Sequence, residues 1–80
     1  MLERILEYYS EETFLKVDGF DEAIIGVDEN QVRLIYSVTK CLEILMSEMS
    51  YDDALEHFNF NVSGSYMGEK TPIWCEDNYN

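Results

Sequence analysis

The stretch that decides the fold is residues 23–37, AIIGVDENQVRLIYS. Two runs rich in β-branched residues, 23–27 and 31–36, flank Asp28-Glu29-Asn30, whose length and composition suit a hairpin turn. Ser37 follows directly, and serine is a residue type that caps the N-terminus of helices. The stretch therefore predicts a β-hairpin that leads into a helix.

Helical spacing continues after the hairpin. Apolar side chains recur every three or four residues after Ser37, and again after Ser50, which forms a variant capping box with Asp53. These positions are Val38, Cys41, Leu42, Leu45, Met46 and Met49 in the first segment, and Tyr51, Ala54, Leu55 and Phe58 in the second. The pattern predicts two consecutive helices, each with one apolar face.

Further elements are predicted at the two ends of the chain. Leu2, Ile5, Leu6 and Tyr9 share one face of a helix over about residues 2–10. Residues 13–17 suit either a continuation of that helix or a strand, and Asp18-Gly19 ends either version. Near the other end, residues 71–75 predict a short edge strand, with a proline near its start.

Together these elements predict the α+β class: a small two-layer domain in which a β-hairpin and a short third strand pack on helices. A chain of 80 residues has room for one domain with one core. We divide it into an N-terminal helix at about 2–10, an α+β core at about 18–75 and a C-terminal tail at 76–80. Its hydrophobic content of 46%, with 14% aromatics, is typical of a folded domain and not of a disordered acidic tail.

The charge balance is the strongest indication of function. The chain has 17 acidic residues against 5 basic ones, a formal net charge of −12. Such an excess repels itself and weakens the compact state, so it indicates a halophilic setting, a need for solubility or a basic partner. The basic residues are scattered, whereas binding to phosphates needs them grouped. Nucleic acid is therefore not predicted as a direct ligand.

Competition with nucleic acid is a different matter. About 30 Å of duplex DNA carries about 18 charges, a number close to the carboxylates of this chain, which makes the protein a candidate DNA mimic if they share a face. Glu3, Glu7 and Glu11 recur every four residues and would align on a continuous helix. The alternative is a solvated acidic helix face that serves solubility.

The chain carries no recognisable catalytic or metal-binding motif. His57 is the only histidine, and Asp53 lies four residues before it, where a carboxylate can orient the ring. No nucleophile is tied to this pair, so an ordinary surface histidine is the simpler interpretation. The two cysteines lie 34 positions apart without CxxC spacing. We predict no catalytic residue, no metal site and no cofactor.

The segment from Asn61 to Pro72 contains two glycines but no phosphate-binding loop. In Gly68-Glu69-Lys70-Thr71, a glutamate separates the glycine from the lysine, which the P-loop motif does not allow. A structured loop is the simplest interpretation. The alternative is a partner-binding loop, because Tyr66, Met67 and the later Trp74 are side chains typical of interface anchors.

The expected cellular compartment follows from the first residues, the apolar runs and the two cysteines. The first residues mix apolar and charged side chains, unlike a secretory signal, and no apolar run is long enough to span a membrane. Without export, Cys41 and Cys75 are expected to be two reduced thiols. These features predict a cytoplasmic protein, in the host cytoplasm if it is viral, with no membrane partner.

Several segments between Asp18 and Cys75 resemble short uncharacterised acidic proteins of bacteriophages and some bacteria, a family of unknown function. The resemblance is carried by Gly19-Phe20-Asp21-Glu22-Ala23-Ile24-Ile25-Gly26, Tyr36-Ser37, Cys41-Leu42-Glu43-Ile44-Leu45, Phe60-Asn61 and Gly68-Glu69-Lys70-Thr71-Pro72-Ile73. It implies a phage origin but no activity, and it does not include the N-terminal helix.

Charge and resemblance together predict a small acidic interaction module that binds and inhibits a basic host protein, such as a nuclease, a defence complex or RNA polymerase. The predicted partner-binding residues are Glu3, Glu7, Glu11, Glu12, Asp21, Glu22, Asp28 and Glu29 for attraction, and Tyr66, Met67 and Trp74 as buried anchors. Two alternatives stay open: a small enzyme or ligand-binding protein that uses His57 and Asp53, and a module that self-associates through the apolar face of the N-terminal helix.

Overall fold

The computed structural model describes residues 1–62, 68 and 70–77, which form helices around a three-stranded sheet. In chain order the elements are α1 (Leu2–Tyr8), a 3₁₀ turn (Asp21–Ala23), β1 (Ile24–Asp28), β2 (Arg33–Ser37), α2 (Val38–Leu45), α3 (Tyr51–His57), a π-helical turn (Phe58–Val62) and β3 (Ile73–Cys75). The predicted α+β class, with a hairpin and a short third strand, is confirmed.

The sheet has the order β1-β2-β3, so β2 is its central strand. β1 runs antiparallel to β2, as a hairpin requires, and a bulge between Ile24 and Gly26 interrupts their register. β3 runs parallel to β2, with Tyr36 beside Trp74. Parallel neighbours need a long crossover connection, and here α2 and α3 provide it.

The hairpin turn lies slightly later than the sequence predicts. Its strands end at Asp28 and resume at Arg33, which leaves four residues in the turn. Val32, predicted as a strand residue, lies in this turn with φ of +53°, a conformation that β-branched residues rarely adopt. Two contacts brace the turn: Arg33 pairs with Asp28 at 3.3 Å, and the ammonium of Lys70 donates to the carbonyls of Gln31 and Val32.

The core lies where one face of the sheet meets the helices and the 3₁₀ turn. Its buried residues are Ile5, Phe20, Ala23, Ile24, Leu34, Tyr36, Cys41, Ala54, Phe58 and Val62. Tyr36 is fully buried, and its hydroxyl accepts a hydrogen bond from the backbone N–H of Val17 at 2.9 Å. Burial raises the pKa of this hydroxyl. The rings of Tyr36 and Phe58 lie 5.0 Å and 5.4 Å from the ring of Trp74, which extends the cluster to β3.

The start of α2 is held from two sides. Ser37 is fully buried and caps the helix as predicted, because its Oγ accepts the N–H of Lys40. The hydroxyl of Ser37 donates to the carboxylate of Asp77 at 2.5 Å, and the N–H of Thr39 donates to the same carboxylate at 3.2 Å. Part of the segment predicted as a tail is therefore attached to α2. The hydrogen bond from Ser37 lowers the pKa of Asp77.

The N-terminal part departs from the predicted boundaries. α1 ends at Tyr8, and residues 12–17 form neither helix nor strand, so both alternatives for that segment are wrong. Phe14 and Val17 nevertheless pack against the core, which explains their apolar character. Ile5 is buried, and Leu2 packs beside it, as the apolar face of the helix predicts.

The helices after the hairpin are shorter than the apolar pattern suggests. α2 ends at Leu45, so Met46 and Met49 lie beyond it, and Met46 is 45% exposed. The capping prediction at Ser50 is confirmed, because its Oγ accepts the N–H of Asp53 at the start of α3.

We expect the Tyr36→Phe substitution to destabilise the protein by about 1 kcal/mol, because it leaves the Val17 N–H without its acceptor. Urea unfolding followed by circular dichroism measures this difference. Tyr8→Phe is the matched control, since Tyr8 is 81% exposed, and it should change stability very little. Equal effects of the two substitutions would contradict the role assigned to the Tyr36 hydroxyl.

We expect Asp77→Ala to destabilise the protein by about 1 kcal/mol at pH 7, the usual effect of losing a helix cap. A carboxyl with a lowered folded-state pKa stabilises the fold above its unfolded pKa, and this contribution is lost as pH falls through the folded pKa. The difference from wild type should therefore be full at neutral pH and shrink below about pH 4. Urea unfolding at several pH values measures it, with Glu48→Gln in an exposed turn as the control. A difference that did not change with pH would contradict the carboxylate cap.

Candidate functional site

Carboxylates dominate the described surface. Every described acidic residue except Asp28 and Asp77 is exposed. Three ion pairs join described residues: Lys16 with Asp21 at 3.3 Å, Arg33 with Asp28 at 3.3 Å, and Lys70 with Glu12 at 3.9 Å. Most of the negative charge in this part of the chain therefore has no cation of the protein beside it.

Four of the predicted acidic residues divide between the two ends of the hairpin. Glu12 and Glu29 lie by the hairpin turn, where Lys70 joins Glu12 to the turn backbone. Partial burial and, next in size, the charge of Glu29 raise the pKa of nearby Tyr9. Asp21 and Glu22 lie at the opposite end, in the 3₁₀ turn that leads into β1.

Two of the predicted acidic positions have a different setting from the one expected. Glu11 follows the end of α1, so only Glu3 and Glu7 of the predicted row share a helix, and the continuous row Glu3, Glu7 and Glu11 is wrong. Asp28 is engaged in the hairpin, where its carboxylate accepts the N–H of Asn30 and pairs with Arg33. Its side chain is only 18% exposed.

Of the three predicted anchor residues, the structure describes only Trp74. Tyr66 and Met67 lie outside the described residues. Trp74 is half-buried, and its ring packs between Tyr36 and Phe58, so much of its apolar surface already belongs to the core. Its role as a partner anchor stays a prediction.

His57, the candidate catalytic histidine, lies in an open groove of about 540 Å³. This His57 groove is lined by Met49, Asp53, Glu56, His57, Phe60 and Asn61. Within it, Nδ1 of His57 lies 3.4 Å from the side-chain amide of Asn61, and no hydrogen bond between Asp53 and His57 is found among the described residues. The pair thus lacks the contact by which a carboxylate orients a catalytic imidazole.

Phe60 is the surface feature that sequence reasoning missed. Its side chain is 77% exposed, while Phe58 and Val62 in the same π-helical turn are buried. The alternation in Phe58-Asn59-Phe60-Asn61-Val62 contains the signal, because residues two apart in a helical turn point to different sides. Once Phe58 is assigned to the core, Phe60 has to face solvent.

The two cysteines are free thiols, as expected. Cys41 is fully buried, and burial raises the pKa of its thiol to about 12, with the charge of Asp77 adding to the effect. A thiol that stays protonated is a poor nucleophile. Cys41 is therefore a packing residue of the core.

The described residues include neither a group of potential metal ligands nor a helix that could span a membrane. No three histidine, cysteine, aspartate or glutamate side chains in this part of the chain come together as a metal-binding group would. None of its helices is both long and apolar enough to cross a membrane.

Comparisons with family models, with curated proteins and with solved structures find no match to this chain.

We expect Cys41 to resist alkylation by iodoacetamide at pH 8 in the folded protein and to react once urea unfolds it. Burial and the raised pKa both suppress the thiolate that attacks the reagent. Peptide mass spectrometry measures modification at each cysteine, and Cys75, which is half-buried, provides the internal comparison. Modification of Cys41 at the same rate with and without urea would contradict its assignment as an inert core residue.

Proposed function

We propose that the protein is a small acidic interaction module, encoded by a bacteriophage, that binds a basic surface on a host protein that handles nucleic acid. Binding there would inhibit the host protein by occupying the surface that nucleic acid needs. A nuclease, a defence complex and RNA polymerase are the classes of partner that present such a surface.

The observation that carries this proposal is the exposure of the carboxylates without matching cations. Like charges on one small surface repel each other and lower the stability of the compact state. Most of them form no ion pair within the fold, since the ion pairs of the described residues involve only Glu12, Asp21 and Asp28. A basic partner would relieve that repulsion on binding and would be attracted from a distance.

The dimensions of the protein support competition with nucleic acid. Its longest axis is 39 Å, and duplex DNA of that length carries about 23 phosphate charges. The chain has 17 acidic residues, which is of the same order. Exposed acidic residues lie at both ends of the hairpin and on α3, so the negative charge is not confined to one element.

The alternatives have less support. An enzyme that uses His57 and Asp53 would need the two side chains in contact, whereas His57 instead lies beside Asn61. Self-association through the apolar face of α1 would need that face to be free. Leu2, Ile5 and Tyr9 pack against the core, and Leu6 is the exposed member of the predicted set.

The test begins with affinity capture from a bacterial extract at 50 mM and at 300 mM KCl, followed by binding kinetics with each purified captured protein. We expect a basic nucleic-acid-handling protein whose association rate falls about tenfold or more over this range, because salt screens the long-range attraction. Addition of duplex DNA should compete with the binding.

Two variants of equal charge change sharpen this test. One neutralises the hairpin-turn end with Glu11→Gln, Glu12→Gln and Glu29→Gln, and the other neutralises α3 with Asp52→Asn, Asp53→Asn and Glu56→Gln. We expect at least one of them to slow association and to reduce the salt dependence. An association rate that changes neither with salt nor in either triple variant would refute the electrostatic proposal.

A further inference from the structure

We propose that the His57 groove binds an arginine side chain of the partner protein, with Phe60 as the stacking platform. This inference rests on the proposed function, because it names the part of the acidic surface that anchors the basic partner. Phe60 is 77% exposed and lines this open groove. A large aromatic side chain held in water is a surface suited to burial by a partner.

The platform is held in place from below. Phe58 and Val62 of the same π-helical turn are buried in the core, and the ring of Phe58 packs edge-on against Trp74 at 5.4 Å. π-helical turns are rare and occur frequently at functional sites. Here the turn projects one aromatic side chain outwards while its neighbours fix the backbone, so the exposed ring is presented on a firm support.

The charges of the groove select a cation. Asp53 and Glu56 lie three residues apart on α3 and line the groove beside Phe60. No ion pair formed by the described residues involves either carboxylate. Lys16, Arg33 and Lys70 form ion pairs with other carboxylates, so these three cations do not neutralise the groove.

The combination of an aromatic face with carboxylates favours arginine over lysine. A guanidinium group is planar, stacks on aromatic rings and donates several hydrogen bonds to carboxylates at once. Met49 lines the same groove and offers an adaptable apolar surface to the methylene stem of the arginine. The side-chain amide of Asn61 and the ring of His57 lie side by side and add polar contacts at the rim.

The probe is the peptide acetyl-Gly-Arg-Gly-Arg-Gly-amide, titrated into isotope-labelled protein and followed by NMR at low salt. The same peptide with lysine in place of arginine is the charge-matched comparison. We expect the largest shift changes at Glu56, His57, Phe60 and Asn61, and at least threefold tighter binding of the arginine peptide. Phe60→Ala should weaken binding of the arginine peptide at least fivefold and remove its advantage over lysine.

Two matched controls separate this site from general acidity. Tyr8→Ala removes an aromatic side chain that is 81% exposed on α1 and should leave binding unchanged. Neutralising Glu48 and Asp52, which do not line the groove, should weaken binding less than neutralising Asp53 and Glu56. Circular dichroism checks that each variant keeps the fold.

The outcomes distinguish the inference from the proposed function. One outcome is that both peptides bind in a salt-sensitive way, with shift changes at many carboxylates and no effect of Phe60→Ala. This outcome would overturn the inference but would leave the proposed acidic interaction module intact. No binding of either peptide at low salt would overturn the inference and count against the proposed function as well. A concentration-dependent mass that Phe60→Ala abolishes would assign the groove to a second copy of the chain and so overturn the arginine site.

Discussion

The rest of the structure depends on the burial of β2 between two strand neighbours. Leu34, Tyr36 and Ser37 are almost completely inaccessible, and the last two connect several parts of the chain to the sheet. Tyr36 joins β1 through the sheet register, residues before the 3₁₀ turn through Val17, and β3 through Trp74. Ser37 ends the strand, caps α2 and holds Asp77. Two adjacent residues, Tyr36 and Ser37, therefore connect the sheet to α2 and to the last described residues.

The sequence predicted those elements whose signals are local. The β-branched runs of the hairpin, the serine caps before α2 and α3, and the proline before β3 each describe a preference of a few neighbouring residues. The residues that sequence reasoning misjudged depend on distant contacts instead. Val32 takes a left-handed conformation within a turn braced by Lys70, which lies far along the chain. Phe14 and Val17 pack on the core without forming a helix or a strand, so no periodicity identifies them.

Of the candidate site, only the negative charge could be predicted from the sequence. Composition alone indicates an acidic surface, and the structure leaves most of those carboxylates exposed. The predicted hairpin already separates Asp21 and Glu22 from Glu29 in its turn, whereas the position of Glu12 near that turn depends on the distant Lys70. Phe60 was missed because the predicted apolar helix positions stop at Phe58, whereas the π-helical turn continues directly from α3. The exposed aromatic and the neighbouring carboxylates share a groove for that reason alone.

Core and surface thus have separate physical roles in this protein. The fold is held by apolar burial, two aromatic contacts to Trp74 and a small set of buried hydrogen bonds, none of which needs the exposed carboxylates. Those carboxylates repel one another, and under the proposed function a basic partner compensates for this repulsion on binding. Stability should then rise when the repulsion is screened.

The most direct measurement is urea unfolding at pH 7 in 0.01 M and in 0.1 M NaCl. The Debye length falls from about 30 Å to about 10 Å over this range, so repulsion across the 39 Å molecule is largely screened at the higher salt. We expect a higher urea midpoint at 0.1 M NaCl than at 0.01 M. A midpoint that falls or stays constant would show that the carboxylates do not destabilise the fold by repulsion, and it would contradict the assignment of this charge to a partner.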